Sequence, residues 1–381
     1  MGAEICVLGA GLIGLSIARE LALRGARVRL FDPAPPARAA SWAGAGMLAP
    51  YTEAIEDRAL RELCIFSLDL YPDFVAALAE QTGFDPELRR EGTLQLALDE
   101  ASHAALSRRV AALQREGVAA SMLDRSAVRE MEPQLDGAFL GASFVLAEAQ
   151  IDNRRLGRAL LAACVRAGVR IEAEEGGVAI EADARRVRGL RTRRGFVAAE
   201  TVINAAGAWA GVIDGVPDHV RVPVVPIKGQ MVAVDTRGHL PLRRVVWTPL
   251  PYLVPRNDGR LLIGSTMERS GFDVRVTAGA VASLIERAAA AVPAIARMPL
   301  IETWAGLRPG TPDRSPLLGE TALGGYVLAA GHERNGILLT PATARLIADA
   351  VENIASPIDL KPFAPQRFAP ERRAAAANAG T

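Results

Sequence analysis

The stretch EICVLGAGLIGLSIAREL, residues 4 to 21, decides the fold. Its first five residues form an apolar run that reads as a buried strand. Leu12 to Arg24 carries the spacing of an amphipathic helix, with Gly25 to stop it, and Val28 to Phe31 reads as a second strand ending at Asp32. This is a βαβ opening. Between strand and helix, Gly9 permits a tight turn, Gly11 lets the backbone approach a phosphate, and Gly14 lets the helix meet the strand closely. The helix N-terminus then faces a pyrophosphate with unpaired N–H groups and a positive dipole end. Asp32, eighteen residues past Gly14, suits ribose hydroxyls and would repel a 2′-phosphate, which argues against NADP. These features leave NAD and FAD indistinguishable.

Around that opening, the chain has the composition of a globular protein. Its 381 residues are enough for two or three domains, and 50% are hydrophobic, ample for a sizeable core. Lys plus Arg is 44 against 43 Asp plus Glu, so a net charge of +1 gives no global attraction to nucleic acid or anionic membranes. The expected partner is a small molecule. All basic residues but Lys228 and Lys361 are arginine, which fits a GC-rich bacterial genome and carries no functional weight. Cys6, Cys64 and Cys164 are far apart and include no CxxC pair, so neither a disulfide framework nor a metal site is expected. No leader and no eighteen-residue apolar span is visible, and the expected location is the cytoplasm.

Further along, ASWAGAGMLAPY (40 to 51) is too broken for a long helix and too apolar for a solvent loop, so it suits a chain packed against something flat. Helical pattern runs from about Arg58 to Gln81. Residues 85 to 149 switch to short strands and arginine-rich helical pieces, which look like a separate lobe. Helix then strand return in IDNRRLGRALLAACVRAGVRI, and Thr201 to Asn204 is a strand running into small residues. Val220 to Ser265 is strand-rich, Ala278 to Ala291 helical, and YVLAAGHERNGILLTPATARLIADAVENI reads as strand, glycine loop and helix. The proline-, arginine- and alanine-rich tail is expected to be poorly ordered at its end.

The small-residue loop at 41 to 49, NAAGAW (204 to 209) and the second glycine loop beginning at Gly331 distinguish the two cofactors. A nicotinamide has no obvious need for them. An isoalloxazine is a large plane needing close backbone cover, and its N1–C2=O edge turns negative on reduction, where main-chain donors stabilise it. Together with SWAGAGMLAP, VINAAGAWAG, PYLVPR, IGSTM, WAGLRPGTPDRSPLLG and AAGHERNGILLTPATARLIAD, the opening resembles the FAD-dependent D-amino-acid oxidase superfamily. Within it the likeness is nearest to the glycine oxidases, flavoenzymes of bacterial thiamine biosynthesis, and covers about residues 4 to 360.

The resemblance implies an α/β fold, α+β overall: a Rossmann-like FAD-binding domain of glutathione-reductase type and a substrate domain with a mostly antiparallel sheet. The FAD domain is expected at 1–84, 149–215 and 304–361, the substrate domain at 85–148 and 216–303, and a tail at 362–381. Non-covalent FAD, a small amino-acid substrate, O2 as electron acceptor and a homotetramer are implied with it. No cysteine follows Cys164, which excludes cysteinyl attachment of the flavin in the C-terminal region.

A flavin amine oxidase must hold a carbon next to nitrogen over flavin N5 with the amine neutral, so no acid or base side chain is obligatory. An amino-acid substrate does need its carboxylate fixed, which a bidentate arginine does best. Arg308 in WAGLRPGT matches the family's carboxylate-binding arginine, Arg334 a second arginine at the substrate site, and Tyr252 a tyrosine that meets the carboxylate. Met267 is expected to line the pocket. Leu250 stands where a histidine is expected, which makes the pocket more apolar and weakens the case for strict glycine preference. For the cofactor, the likeness implies Leu12 and Ile13 under the pyrophosphate, Asp32 and Pro33 at the ribose, and Ala40, Ser41, Ala45, Gly46 and Met47 over the flavin. Val178 would meet adenine, Ala206, Gly207 and Trp209 would border the site, and His332, Glu333, Arg334, Asn335, Gly336, Ile337 and Leu338 would run along the flavin edge. His332 is read as flavin-packed or hydrogen-bonded, not as a base. The alternatives are a flavin dehydrogenase passing electrons to a quinone or protein, and, remotely, a non-catalytic FAD scaffold.

Overall fold

The structure, a computed structural model, describes residues 4–173, 176–238, 242–249 and 251–368. Alternation along strand Glu4–Leu8 sets the first layers: Ile5 and Val7 enter a core under helices, while Cys6 and Leu8 enter a second core on the opposite face. A strand covered on both faces has no polar side, which is why this run is continuously apolar. Helix Leu12–Leu23 packs against helices Asn153–Arg166 and Thr340–Val351, and helix Arg58–Thr82 packs against the latter two. Asp57 and Asp152 cap two of these helices by accepting first-turn N–H bonds.

The sheet beneath has six strands in the order Leu317–Glu320, Tyr326–Ala330, Thr201–Asn204, Glu4–Leu8, Arg27–Asp32, Arg170–Ala173. Every neighbouring pair is parallel except the first. Its other face is covered by a three-stranded antiparallel sheet, Ala179–Ala182, Val187–Thr192 and Gly195–Ala198, which the sequence pattern did not disclose. Parallel pairing brings the C-terminal ends of four central strands to one edge, where doubly wound sheets place their ligands.

The second sheet has eight strands in the order Leu300–Gly310, Val225–Asp235, Arg260–Gly264, Tyr252–Pro255, Val245–Trp247, Thr93–Ala97, Gly141–Val145, Ala120–Asp124. Only Val245–Trp247 and Thr93–Ala97 run parallel. Val232, Val234, Leu253 and Ile263 face a core completed by helices Ala278–Ala291 and Arg125–Met131. Their alternating neighbours Met231, Ala233, Tyr252, Val254 and Leu262 face Ala43 and Ala45 of the first domain. That second face walls the site.

Two boundaries differ from expectation. Strand Leu300–Gly310 pairs along its length with Val225–Asp235, so the expected domain start at 304 falls inside one strand of the second sheet. The expected tail begins later than 362: Lys361–Phe363 and Pro365–Phe368 form short 3-10 turns, and Phe363 is buried under the helices. Residues 369–381 lie outside the described residues. No described helix is long and apolar enough to cross a membrane.

Candidate active site

The residues expected at cofactor and substrate converge. All except Gly14 and Met267 line one cavity of about 460 Å³ between the two sheets. At its phosphate end, Gly9 has φ +100 and a Cβ there would lie 2.4 Å from the Ala205 carbonyl oxygen. A Cβ on Gly14 would lie 1.8 Å from the Gly9 carbonyl oxygen, so Gly14 serves the helix–strand contact. The helix starting at Leu12 has no acidic residue in its first turn, leaving its dipole end free for an anion. Asp32 accepts from the N–H groups of Ala10 at 2.6 Å and Ala34 at 2.8 Å, which aims the carboxylate while leaving lone pairs for ribose hydroxyls. Burial raises its pKa despite those two bonds.

The loop from Ala39 to Met47 is held from several sides. Its first turn is helical, Ala39–Ala43. Ser41 Oγ accepts from Leu12 N–H at 2.9 Å, which ties the loop to the phosphate turn. Asn153 Nδ2 donates to the Ser41 carbonyl at 2.7 Å, and Trp304 Nε1 donates to the Ala43 carbonyl at 2.9 Å. Arg256 donates to the Ala45 carbonyl at 2.8 Å, Asn153 Oδ1 at 3.1 Å and Gln150 Oε1 at 3.2 Å. Its buried guanidinium has its pKa pulled down by desolvation to about 10, so it stays charged at neutral pH. Gly46 at φ +71 lets two backbones meet where a Cβ would lie 1.9 Å from Ile151 O, and Gly306 makes room for the Ala43 methyl, from which a Cβ would lie 2.4 Å. These are cradles that only glycine fits.

On the other flank, Gly331 to Leu339 wraps the cavity. Glu333 N–H donates to the Pro309 carbonyl at 3.0 Å, Tyr71 Oη donates to the Ile337 carbonyl, and Ser67 Oγ donates to the Leu338 carbonyl at 2.6 Å. His332 is 3% exposed, its Nε2 is 3.1 Å from Thr343 Oγ1, and desolvation lowers its pKa to about 3. It stays neutral, a packed hydrogen-bonding group. Helix Thr340–Val351 begins at Thr340 with Pro341 beside it, preceded by a tight turn at 336–339.

At the substrate end, the Arg308 guanidinium lies over Gly229, where a Cβ would be 2.4 Å from Nη1. Its Nη1 donates to the Thr266 carbonyl at 3.3 Å and its Nη2 to Ser265 Oγ. Among the described residues no carboxylate pairs with it. Tyr252 stands beside it on the same wall, its hydroxyl 3.4 Å from Met231 Sδ. Arg334 also enters the cavity, but its Nε donates to Glu53 Oε1 at 3.3 Å and its guanidinium carbon sits 5.7 Å from the Trp247 ring centre.

Met267 does not join them. Its neighbours both turn toward Gln230, Thr266 Oγ1 accepting from the Gln230 N–H and Glu268 Oε1 from Gln230 Nε2, so the residue between points the other way and is 54% exposed. Leu250 lies outside the described residues. Trp209 borders the cavity and stacks on Phe272 with centres 5.5 Å apart. Sequence reasoning missed Glu53, Gly229, Met231, Gly306 and Arg256. Arg256, as the end of PYLVPR, and Gly306, inside WAGLRPGT, had a signal; Gly229 and Met231 depend on strand register, such as Gly229 opposite Gly306, and Glu53 on a turn that the fold brings to Arg334.

The phosphate turn, the ribose carboxylate and the glycine cradles fit a flavin dinucleotide, and comparison with known proteins agrees. The FAD dependent oxidoreductase family matches residues 4–350. The chain belongs to the FAD-dependent oxidoreductases. A glycine oxidase of Pseudomonas aeruginosa is 37% identical over 370 residues, covering 96% of this chain and 99% of that one. The bifunctional protein ThiO/ThiG of a Synechocystis species is 36% identical over 96% of this chain, which spans only 54% of that longer protein. The crystal structure of glycine oxidase from Geobacillus kaustophilus superposes with a TM-score of 0.90 at 36% identity, covering 96% of this chain and 99% of that one. The cofactor of this family is FAD, and none of the three cysteines lines the cavity.

Proposed function

We propose that this protein oxidises glycine, sarcosine or small D-amino acids to the imine, with non-covalent FAD as cofactor and O2 as the final acceptor giving H2O2. The observation that carries this reading is Arg308: a guanidinium inside the cavity, held by a hydroxyl and a carbonyl, with no described carboxylate to neutralise it. Such a group takes an anion of one planar carboxylate. Bound FAD supplies the hydride acceptor. Arg308 fixes the carboxylate, the Tyr252 hydroxyl faces the same anion, and Met231 supplies apolar wall. Partial desolvation favours the neutral amine that hydride loss requires. His332 takes no proton here, since burial keeps it neutral far below physiological pH. The likeness to a glycine oxidase and to a ThiO/ThiG protein supports a role in feeding an iminoglycine or glyoxylate unit to thiamine thiazole synthesis, and a cytoplasmic homotetramer is the location and assembly that this reading carries with it.

The test is anaerobic mixing of the yellow holoenzyme with glycine, sarcosine, D-alanine and D-proline. Loss of the flavin absorbance, restored by air with one peroxide per turnover, is expected. Loss without recovery in air would turn the assignment to a dehydrogenase with a quinone or protein acceptor, and no loss with any of them would overturn it.

A further inference from the structure

Three arginines line the cavity: Arg38 precedes the Ala39–Ala43 turn and stacks over Trp42, while Arg308 and Arg334 come from the other elements, and of these last two only Arg308 has no carboxylate partner among the described residues. Arg334 is bonded to Glu53 at 3.3 Å, and Glu53 is itself a cavity residue with its side chain only 12% exposed. The turn that carries Glu53 is fixed from beneath: the buried Glu148 carboxylate accepts from Tyr51 N–H at 2.8 Å, Thr52 N–H at 2.6 Å and Thr52 Oγ1 at 2.6 Å. Glu53 N–H in turn donates to the Ala49 carbonyl at 3.2 Å. On its other side Arg334 stacks over Trp247, which packs against Tyr252 with ring centres 5.7 Å apart. Glu53 is therefore a built feature of the wall, and the side chain it neutralises sits one ring away from the tyrosine of the substrate end.

We infer that Glu53 sets the substrate class of the proposed amine oxidase: by occupying Arg334 it leaves room for one carboxylate, at Arg308, and rejects amino acids carrying a second. A dicarboxylic substrate reaching from Arg308 toward Arg334 would bring its second anion against the Glu53 carboxylate, a like-charge contact in a partly desolvated site. Without Glu53 the same position would offer an unpaired guanidinium, the group that binds such an anion best. Toward a monocarboxylic substrate Glu53 acts only through Arg334, as a positioning residue; toward a dicarboxylic one its own charge repels the second anion. This inference rests on Arg308 being the carboxylate anchor.

The experiment compares binding of acetate and malonate to the holoenzyme by calorimetry, then turnover of sarcosine and iminodiacetate. In Glu53→Gln, malonate should gain at least about tenfold in affinity relative to acetate, and kcat/KM for iminodiacetate should rise by a similar factor relative to sarcosine. Glu53→Asp, which keeps the charge, should keep the wild-type preference. Arg334→Gln should weaken acetate binding by leaving Glu53 unpaired, and adding Glu53→Gln should recover most of that loss, a coupling that a direct carboxylate ligand would not show. Unchanged preference in Glu53→Gln, or no recovery in the double variant, overturns the inference. A wild type that turns over no amine overturns the proposed function instead, and the acetate to malonate ratio, which needs no turnover, separates the two failures.

Discussion

Arg308 and His332 show how much a single side chain's surroundings decide. Two charge-assisted contacts at about 1.5 to 3 kcal/mol each are what a carboxylate would lose in Arg308→Ala. KM for the amino acid should therefore rise by more than about tenfold, with FAD still bound, because no cofactor-end contact involves this residue; an unchanged KM removes it from the site. His332 carries the opposite expectation. Its folded pKa lies near 3 against an ordinary 6.5, so it contributes stability that is present above pH 6.5 and is lost as pH falls below it. Histidine resonances followed with labelled imidazole should show one ring that does not titrate between about pH 5 and 9, and a titrating His332 would restore it as a candidate base. The sequence motif supplied Arg308 and Tyr252 by position. It did not supply Glu53 or Gly229, because an ion pair across 281 residues and a guanidinium resting on a glycine both depend on tertiary register.

Local elements were legible wherever periodicity was strong. Thr201–Asn204 and Ala278–Ala291 have the expected bounds, and Arg58–Thr82 exceeds its expected end by one residue. The three short strands between 179 and 198 were not legible, since four- to six-residue runs such as GFVA carry little alternation. The covering loop at 39 to 47 was recognised as packed against something flat, but what holds it was hidden. Arg256 arrives from the second sheet and donates to three acceptors at and around that loop. In Arg256→Met those acceptors are stranded, at about 1 to 3 kcal/mol for a buried group left unpaired. The dissociation constant for FAD, read from flavin fluorescence, should rise tenfold or more; FAD affinity equal to wild type would show that the loop stands without this support.

Across the whole molecule, buried polar groups tie the two sheets together; Arg256 is one of them and the fully buried Glu148 is another. It follows strand Gly141–Val145 of the second sheet and accepts three bonds from the Tyr51–Thr52 turn of the first domain. Those bonds favour the charged form, but complete burial outweighs them and pushes the carboxyl up to about 7 from 4.5, with the Arg109 guanidinium nearby. Between those two values the folded protein keeps a proton that the unfolded chain has released. Stability should therefore decline as pH rises from about 4.5 to 7 and level off above, by up to about 3 kcal/mol from this one group. Glu148→Gln preserves the geometry: its amide oxygen accepts the two N–H bonds and its NH2 donates to Thr52 Oγ1. Thermal melts of wild type and variant holoenzyme from pH 5 to 8 should diverge, the variant gaining on the wild type as pH rises. The sign is opposite to that of His332, whose contribution is lost toward acid, so the two can be separated in one pH series. Parallel melting curves would mean that the strut between the sheets stays ionised throughout that range.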